Sequence, residues 1–397
     1  MRNENNKTMN FSFFLNTLFK LSQYVWYISI IFIIFCYILI GALSFLHPGV
    51  LTGDETEKLF RYAQEQGFAI PAFNCTTSST VNAVLEGAKA VNSPVIIQFS
   101  NGGAAFFCGK SIKGDNQYSA VQGAIAGAKY VHAVAALYGI PVVLHTDHCA
   151  KKLLPWLDGC LDEDEAYFNK YGYALFSSHM IDLSIEKLDD NIEITKKYLE
   201  RCNKVGVLLE MEIGVTGGEE DGVDNTAVSN NALYSQPEEI DHVYTELGKI
   251  TSRFTVAAAF GNVHGVYAPG NVKLQPQILH NAQQYVAEKH SLSVKHPVML
   301  VFHGGSGSLP EEITYAVKAG VVKMNIDTDT QWAYWEGLKN FYEEKKAYLQ
   351  GQIGNPEGPE KPNKKFYDPR VWVRKSEETM RDRVKLAFER LGGCNRN

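Results

Sequence analysis

The sequence has little that would cross-link or clip a fold. Its seven cysteines, Cys36, Cys75, Cys108, Cys149, Cys160, Cys202 and Cys394, fall at irregular spacings with no CxxC pair, which speaks against both a disulfide framework and a cysteine zinc site. A reducing compartment is the simpler reading, and Cys149 reads as packing rather than as a nucleophile. An excess of positive charge is also missing: 38 Lys and Arg stand against 44 Asp and Glu, a formal net charge of -6, with no basic run. Nothing attracts phosphate backbones in general, so nucleic acid is not an expected partner. With 45% hydrophobic and 21% charged residues, 33 Gly and 14 Pro, the chain is too apolar to be disordered and too varied to be fibrous. Its 397 residues suffice for two average domains or one large α/β barrel.

Charge is wholly absent from Leu21 to Leu46, and Tyr24–Leu46 is almost entirely apolar, long enough to span a bilayer at about 1.5 Å per residue. Arg2, Lys7 and Lys20 precede this run while Asp54, Glu55 and Glu57 follow it, so the positive-inside bias sends the C-terminal portion across the membrane. A secretory signal shares the basic start, but its apolar region is usually shorter and ends at a small-residue cleavage site. Three readings of residues 1–46 stay open: a membrane tether through residues 21–46, a processed targeting peptide, or a wrongly chosen start codon. Residues 47–397 form the expected globular domain, taken as cytoplasmic with or without the tether. Asn74-Cys75-Thr76 fits a glycosylation sequon on the face where the site is placed below, and a glycan there would block it.

After residue 50, short apolar runs alternate with longer amphipathic stretches, the pattern of parallel strands joined by helices. Eight strands are expected, at Ala69–Asn74, Pro94–Ser100, Pro141–Asp147, Ala174–Met180, Val205–Gly214, Phe254–Gly261, Val298–Gly305 and Val321–Thr328. Helices are expected at Asp54–Gln66, Ser79–Val91, Ser119–Tyr138, Asp162–Lys170, Ser184–Cys202, Pro237–Ile250, Gln275–Lys289 and Pro310–Ala319, with further C-terminal helices at Asp329–Leu349 and Ser376–Leu391. The fold class is therefore α/β, a (β/α)8 TIM barrel with extra C-terminal helices and an N-terminal apolar helix.

A barrel builds its site at the C-terminal ends of its strands. Here those ends carry Asn74, Ser100, Asp147 with His148, Asp182, Glu210 with Glu212, Asn262 with His264, His303, and Asn325 with Asp327. A lone histidine is more often a satisfied polar residue than a ligand. Three of them at one rim, with several acids, point instead to a metal. Neutral imidazoles suit zinc, whose catalytic sites commonly use three protein ligands and leave one position open. Glu210 and Glu212, two residues apart, face the same way, so one carboxylate offers a further ligand while the other orients a neighbour, or both make rim salt bridges. Asp182 is a candidate for a second cation, and His145 for a partner of the ligands or a buried structural histidine.

HGGSGS at 303–308 precedes a helical stretch, and its glycines let backbone N–H groups approach an oxyanion beside a helix N-terminus. Barrels often hold phosphate after strands seven and eight, and the neighbouring Asn325 and Asp327 can hold hydroxyls.

The chain resembles the zinc-dependent class II fructose-bisphosphate aldolases, particularly the longer bacterial and fungal group. The resemblance runs from about His47 through the C-terminal helix and rests on PAFNC at 71–75, QFSNGG at 98–103, LHTDHCAKKLLPW at 144–156, LFSSHMIDLS at 175–184, TGGEEDGVDN at 216–225, FGNVHGVY at 260–267, FHGGSGS at 302–308, KMNIDTDTQW at 323–332 and YDPRVW at 367–372. It implies that His148, His264 and His303 bind the catalytic zinc, with Glu212 as an alternative ligand and Asp182 at a second divalent position. It further implies that Val263, Gly265, Gly304 and Ser306 meet phosphate or a monovalent cation (K+ or Na+). Asn74, Ser100, Asn325 and Asp327 match positions that contact the triose, Arg370 one that meets the distal phosphate, and a homodimer is expected on the same ground.

The implied activity is reversible cleavage of fructose 1,6-bisphosphate to dihydroxyacetone phosphate and glyceraldehyde 3-phosphate, in glycolysis and gluconeogenesis, through a zinc-stabilised enediolate. Asp147, beside His148, would move the proton of the hydroxyl next to the breaking bond, and Glu220, on the TGGEED loop, would serve as base at the triose carbon. Other readings are a tagatose-bisphosphate aldolase, a Schiff-base enzyme using Lys323, a barrel hydrolase, and a membrane-tethered surface binding protein without activity.

Overall fold

A computed structural model describes residues 46–220, 223–224, 233–263 and 274–397, with the side chains of 219, 220, 223 and 224 left aside. Leu46–Asn395 packs as one compact unit. Apart from Leu46, the apolar run Tyr24–Leu46 and the helix expected there lie outside the described residues. Among the described residues no helix is long and apolar enough to cross a membrane.

Eight parallel strands close into a barrel: β1 (Ile70–Asn74), β2 (Val95–Phe99), β3 (Pro141–Thr146), β4 (Ser178–Ile181), β5 (Leu208–Ile213), β6 (Phe254–Ala258), β7 (Leu300–Phe302) and β8 (Val321–Ile326). Each pairs with its successor, and β8 returns to β1 with Asn325 opposite Ala72. Every residue of the eight strands is buried, as expected of a parallel sheet covered on one face by helices and filled by side chains on the other. The outward face and the surrounding helices share one apolar core, including Phe73, Phe99, Trp156, Phe176, Phe260 and Phe302.

The strand expected at Ala174–Met180 starts later, at Ser178: Ser177 still bonds to Leu144 and Leu208 on either side, but Phe176 N donates to the Asp164 carboxylate at 2.8 Å instead of to a neighbouring strand. Gly49–Val50 fills the place left open, pairing with Pro141 and Val142 at the start of β3, while the end of β3 pairs with β4. The helix expected at Asp162–Lys170 begins at Leu154, since Pro155 fits a first turn where its missing N–H is not needed. The last helix likewise begins at Pro369 and not Ser376, with Asp368 capping Arg370 N at 3.0 Å. It packs on the helices Thr328–Lys345 and Ser78–Ala90, where Gly337 and Gly87 leave room: a Cβ would lie 2.3 Å from Lys375 O at the first and 2.5 Å from Val384 Cγ1 at the second. Sequence reading missed the short helix Asn101–Phe107 and the hairpin Ile353–Asn355 with Gly358–Pro362.

Candidate active site and metal centre

The chemistry-bearing residues leave the barrel at one end, because parallel strands all point their C-termini the same way. Asp147 and His148 follow β3, Glu210 and Glu212 lie on β5, His303 follows β7, and Lys323 and Asn325 lie on β8. All seven are buried. Glu212 Oε2 stands 3.0 Å from His303 Nδ1 and 3.4 Å from His148 Nε2. The two imidazoles lie 4.6 Å apart, centre to centre. Ligand atoms of His148, Glu212 and His303 all fall within 4.8 Å of one another. An ion bound tetrahedrally at 2.0–2.1 Å separates its ligand atoms by about 3.3 Å, so the spacing around Glu212 is that of a shared divalent ion. The donor set of two imidazoles and a carboxylate suits zinc and its neighbours in the first transition row. His148 also adopts φ 22, a left-handed backbone rare outside glycine and typical of residues held for function.

The electrostatics favour a cation. Burial opposes charge on the His148 imidazole, but Asp147 and Glu212 outweigh it and hold its pKa well above the ordinary value. His303 is raised too, burial and His148 being overcome by Glu212 and Glu210. The carboxylates respond in kind: against burial, His148 holds Asp147, and His303 with His148 holds Glu212, well below the usual range. Two imidazoles shifted toward their protonated forms beside carboxylates shifted toward their ionised forms make a site that favours positive charge, and a divalent ion binding there competes with protons.

Each ligand is braced. Asp147 Oδ1 accepts from His148 Nδ1 at 3.0 Å and from Asn325 Nδ2 at 3.1 Å, and Oδ2 accepts from Asn74 Nδ2 at 2.9 Å. Gln98 Nε2 donates to Asn74 Oδ1 at 2.6 Å, which turns the Asn74 amide N–H groups toward Asp147. Thr216 Oγ1 donates to Glu212 Oε1 at 2.7 Å, and Asn262 Nδ2 donates both to Thr216 Oγ1 at 3.1 Å and to the His303 carbonyl at 3.0 Å. Gln98 and Thr216 open two of the motifs quoted above, QFSNGG and TGGEEDGVDN, but the sequence alone assigns neither a role. His145 is buried, paired with Ser178 Oγ at 2.8 Å, and burial followed by the Lys323 charge lowers its pKa to about 3, so it is neutral.

The glycine-rich loop is close-packed. Gly304 has φ 63, and a Cβ there would lie 2.2 Å from Val263 O. Gly305 N donates to Asn325 O at 3.1 Å, and Ser306 Oγ accepts from Asp329 N at 3.2 Å, which ties the loop to the first turn of Thr328–Lys345. Val263, Gly304 and Ser306 thus lie along one edge of the site beside Asn325. Asp327 precedes that helix and accepts from Gln331 Nε2 at 2.8 Å. Ser100 caps Asn101–Phe107, its Oγ accepting from Gly103 N at 3.2 Å.

Some expected members stand apart. Asp182 adjoins the segment after His148 through a bridge to Ala150 and accepts from Ser184 N and Oγ at 3.1 and 2.7 Å, but it does not join the trio of ligands. Arg370 has an 88% exposed side chain whose described bonds go to Asp368. His264 and Gly265 lie outside the described residues. The backbone of Glu219–Glu220 pairs with Val223–Asp224, while the Glu220 side chain lies outside what is described.

The family model for class II fructose-bisphosphate aldolases matches residues 54–396. The chain belongs to this aldolase family. A fructose-bisphosphate aldolase class 2 of Escherichia coli K12 is 59% identical over 353 residues, covering 89% of this chain and 98% of that protein. A fructose-bisphosphate aldolase of Borreliella burgdorferi is 54% identical over 358 residues, 90% of this chain and all of that one. The crystal structure of the Campylobacter jejuni fructose-bisphosphate aldolase superposes with a TM-score of 0.82 at 54% identity, covering 90% of this chain and 99% of that chain. The buried His148–Glu212–His303 trio lies at the C-terminal end of the strands of this barrel.

Proposed function

We propose that the chain is a class II aldolase that cleaves fructose 1,6-bisphosphate reversibly to dihydroxyacetone phosphate and glyceraldehyde 3-phosphate, with zinc as its metal. The observation that carries this reading is the convergence of His148 Nε2, His303 Nδ1 and Glu212 Oε2 in a chain of this family. His148, His303 and His264 would hold the ion, with Glu212 as a further or alternating ligand. When bound, the ion supplies Lewis-acid polarisation of the ketose oxygen and stabilises the charge left on the triose as the carbon–carbon bond breaks.

The remaining work falls to side chains. Asp147 is ionised at neutral pH and fixed by Asn74 and Asn325, so it is equipped to accept the proton of the hydroxyl beside the breaking bond and return it in condensation. Glu220, on a loop hinged by Gly217 and Gly218, would protonate the triose carbon and cover it from water. Gly304 and Ser306, with Val263 and Gly265, would receive one phosphate; Arg370 would receive the other. Ser100 and Asp327 would orient the triose hydroxyls. A second divalent cation at Asp182, a monovalent cation by the glycine-rich loop, and a homodimer rest on family likeness.

The Schiff-base alternative needs a neutral lysine. Lys323 Nζ instead lies 2.8 Å from both oxygens of Glu210, a pairing that engages the amine and turns it away from a substrate carbonyl. Cleavage assayed on purified full-length chain, with zinc removed by EDTA and then restored, tests the proposal. Loss and recovery of activity are expected, and borohydride with substrate should trap no lysine; activity that survives complete metal removal would refute it.

A further inference from the structure

Glu210 is not used by the chemistry above, yet its carboxylate is bonded through both oxygens among the described residues. Its Oε1 accepts from His303 Nε2 and from Lys323 Nζ, each at 2.8 Å. Its Oε2 accepts from Lys323 Nζ at 2.8 Å and from Thr255 Oγ1 at 3.5 Å, and lies 3.9 Å from His145 Nε2. Glu210, Lys323, His303 and Thr255 are each at most 1% exposed. They come from β5, β8, the end of β7 and β6, so the interior of half the barrel meets on one carboxylate.

Removing two full charges from water for one mutual bond contributes little net stability. Such a pair therefore calls for another reason, and the two nitrogens of His303 supply it. Nδ1 faces Glu212 Oε2, the oxygen that also faces His148 Nε2, so Nδ1 is the metal-side nitrogen and Nε2 the far one. A neutral imidazole ligates through Nδ1 only while its proton sits on Nε2, and an acceptor held at Nε2 fixes both that tautomer and the plane of the ring.

We propose that Glu210 is the positioning residue for His303 as a metal ligand, and that Lys323 pins Glu210 in that role. The Lys323 ammonium bridges both carboxylate oxygens. It prevents Glu210 from swinging toward the ion as a competing ligand, and it leaves Oε1 facing His303. Asp147 serves His148 Nδ1 in the same way on the opposite side of the site, so His148 and His303 each have a carboxylate on the far nitrogen. The inference deepens the metal reading above and rests on it.

The test uses full-length protein carrying Glu210→Gln, Lys323→Met, or both. Zinc affinity is measured by chelator competition, the cobalt-substituted protein is examined by visible absorption, and the metal-free protein is melted thermally. Glu210→Gln keeps the side chain's shape but removes its charge, and should weaken zinc binding by about 10–100-fold and shift the cobalt bands. Lys323→Met should do likewise. The double variant carries no unpaired buried charge, so it keeps the question answerable should either single variant fail to fold, and the same weakening is expected of it. Wild-type zinc affinity with an unchanged cobalt spectrum in the folded variants would overturn the positioning role while leaving the metal reading intact. A wild-type chain that binds no zinc would overturn both.

Discussion

Gly304 allows the architecture of the site to be tested by a single methyl group. Its φ of 63 places it in the left-handed region, which costs a residue with a Cβ roughly 1–2 kcal/mol. The added carbon would also lie 2.2 Å from the carbonyl oxygen of Val263 and 2.7 Å from its carbonyl carbon. Relief requires the loop to move by about 1 Å, an overpacking that costs a further 1–3 kcal/mol or so. Gly304→Ala should therefore lose about 2–5 kcal/mol, a fall in Tm on the order of 4–10 °C at about 2 °C per kcal/mol for a large domain. Two other glycines separate the terms. Gly67 has φ 67 but nothing within 4 Å of its missing Cβ, so Gly67→Ala should show the conformational cost alone. Gly248 ends a helix with neither feature, and Gly248→Ala should be neutral or stabilising by up to about 1 kcal/mol. Because His303 immediately precedes Gly304, the displaced loop should also lower kcat/KM for fructose 1,6-bisphosphate by about 100-fold. The assays are thermal denaturation and cleavage kinetics of the three variants side by side. A Gly304→Ala protein that melts with Gly67→Ala and cleaves normally would refute the close approach of this loop to Val263.

The proton balance of the site predicts the pH dependence of metal binding. Against burial, Asp147 and Glu212 shift His148 upward and Glu212 and Glu210 shift His303 upward, so the metal-free site holds its protons to higher pH than free imidazoles do. Zinc affinity should then strengthen as pH rises, by up to about tenfold per pH unit for each proton displaced, and a competition titration that shows no pH dependence would count against it. Asp147→Asn should lower kcat by about 10²–10⁴-fold even when assayed with zinc in saturating excess, measurable by steady-state kinetics with metal analysis confirming full occupancy of the same sample. Arg370→Ala should raise KM for the bisphosphate by about 10–100-fold, yet leave proton exchange on dihydroxyacetone phosphate alone near wild type.

Much of this was legible in the residues because the controlling features were local. Short apolar runs alternating with longer amphipathic stretches gave all eight strands, and the polar residues at their ends gave Asp147, His148, Glu212 and His303 as neighbours. Errors arose where a side chain overrode the pattern: Asp164 capturing Phe176 N shortened β4, and Pro155 and Pro369 began helices in segments whose apolar periodicity is weaker. The bracing residues were less visible still. Thr216, Gln98 and the Lys323–Glu210 bond matter only because distant strands meet, and no spacing within one strand announces a partner from across a barrel.

The most direct measurement is anomalous scattering at the zinc absorption edge from crystals of the zinc-loaded protein. A strong peak enclosed by His148 Nε2, His303 Nδ1 and the Glu212 carboxylate is the predicted result. A zinc-loaded crystal with no peak there, or one in which the two rings turn their facing nitrogens away from each other, would contradict it.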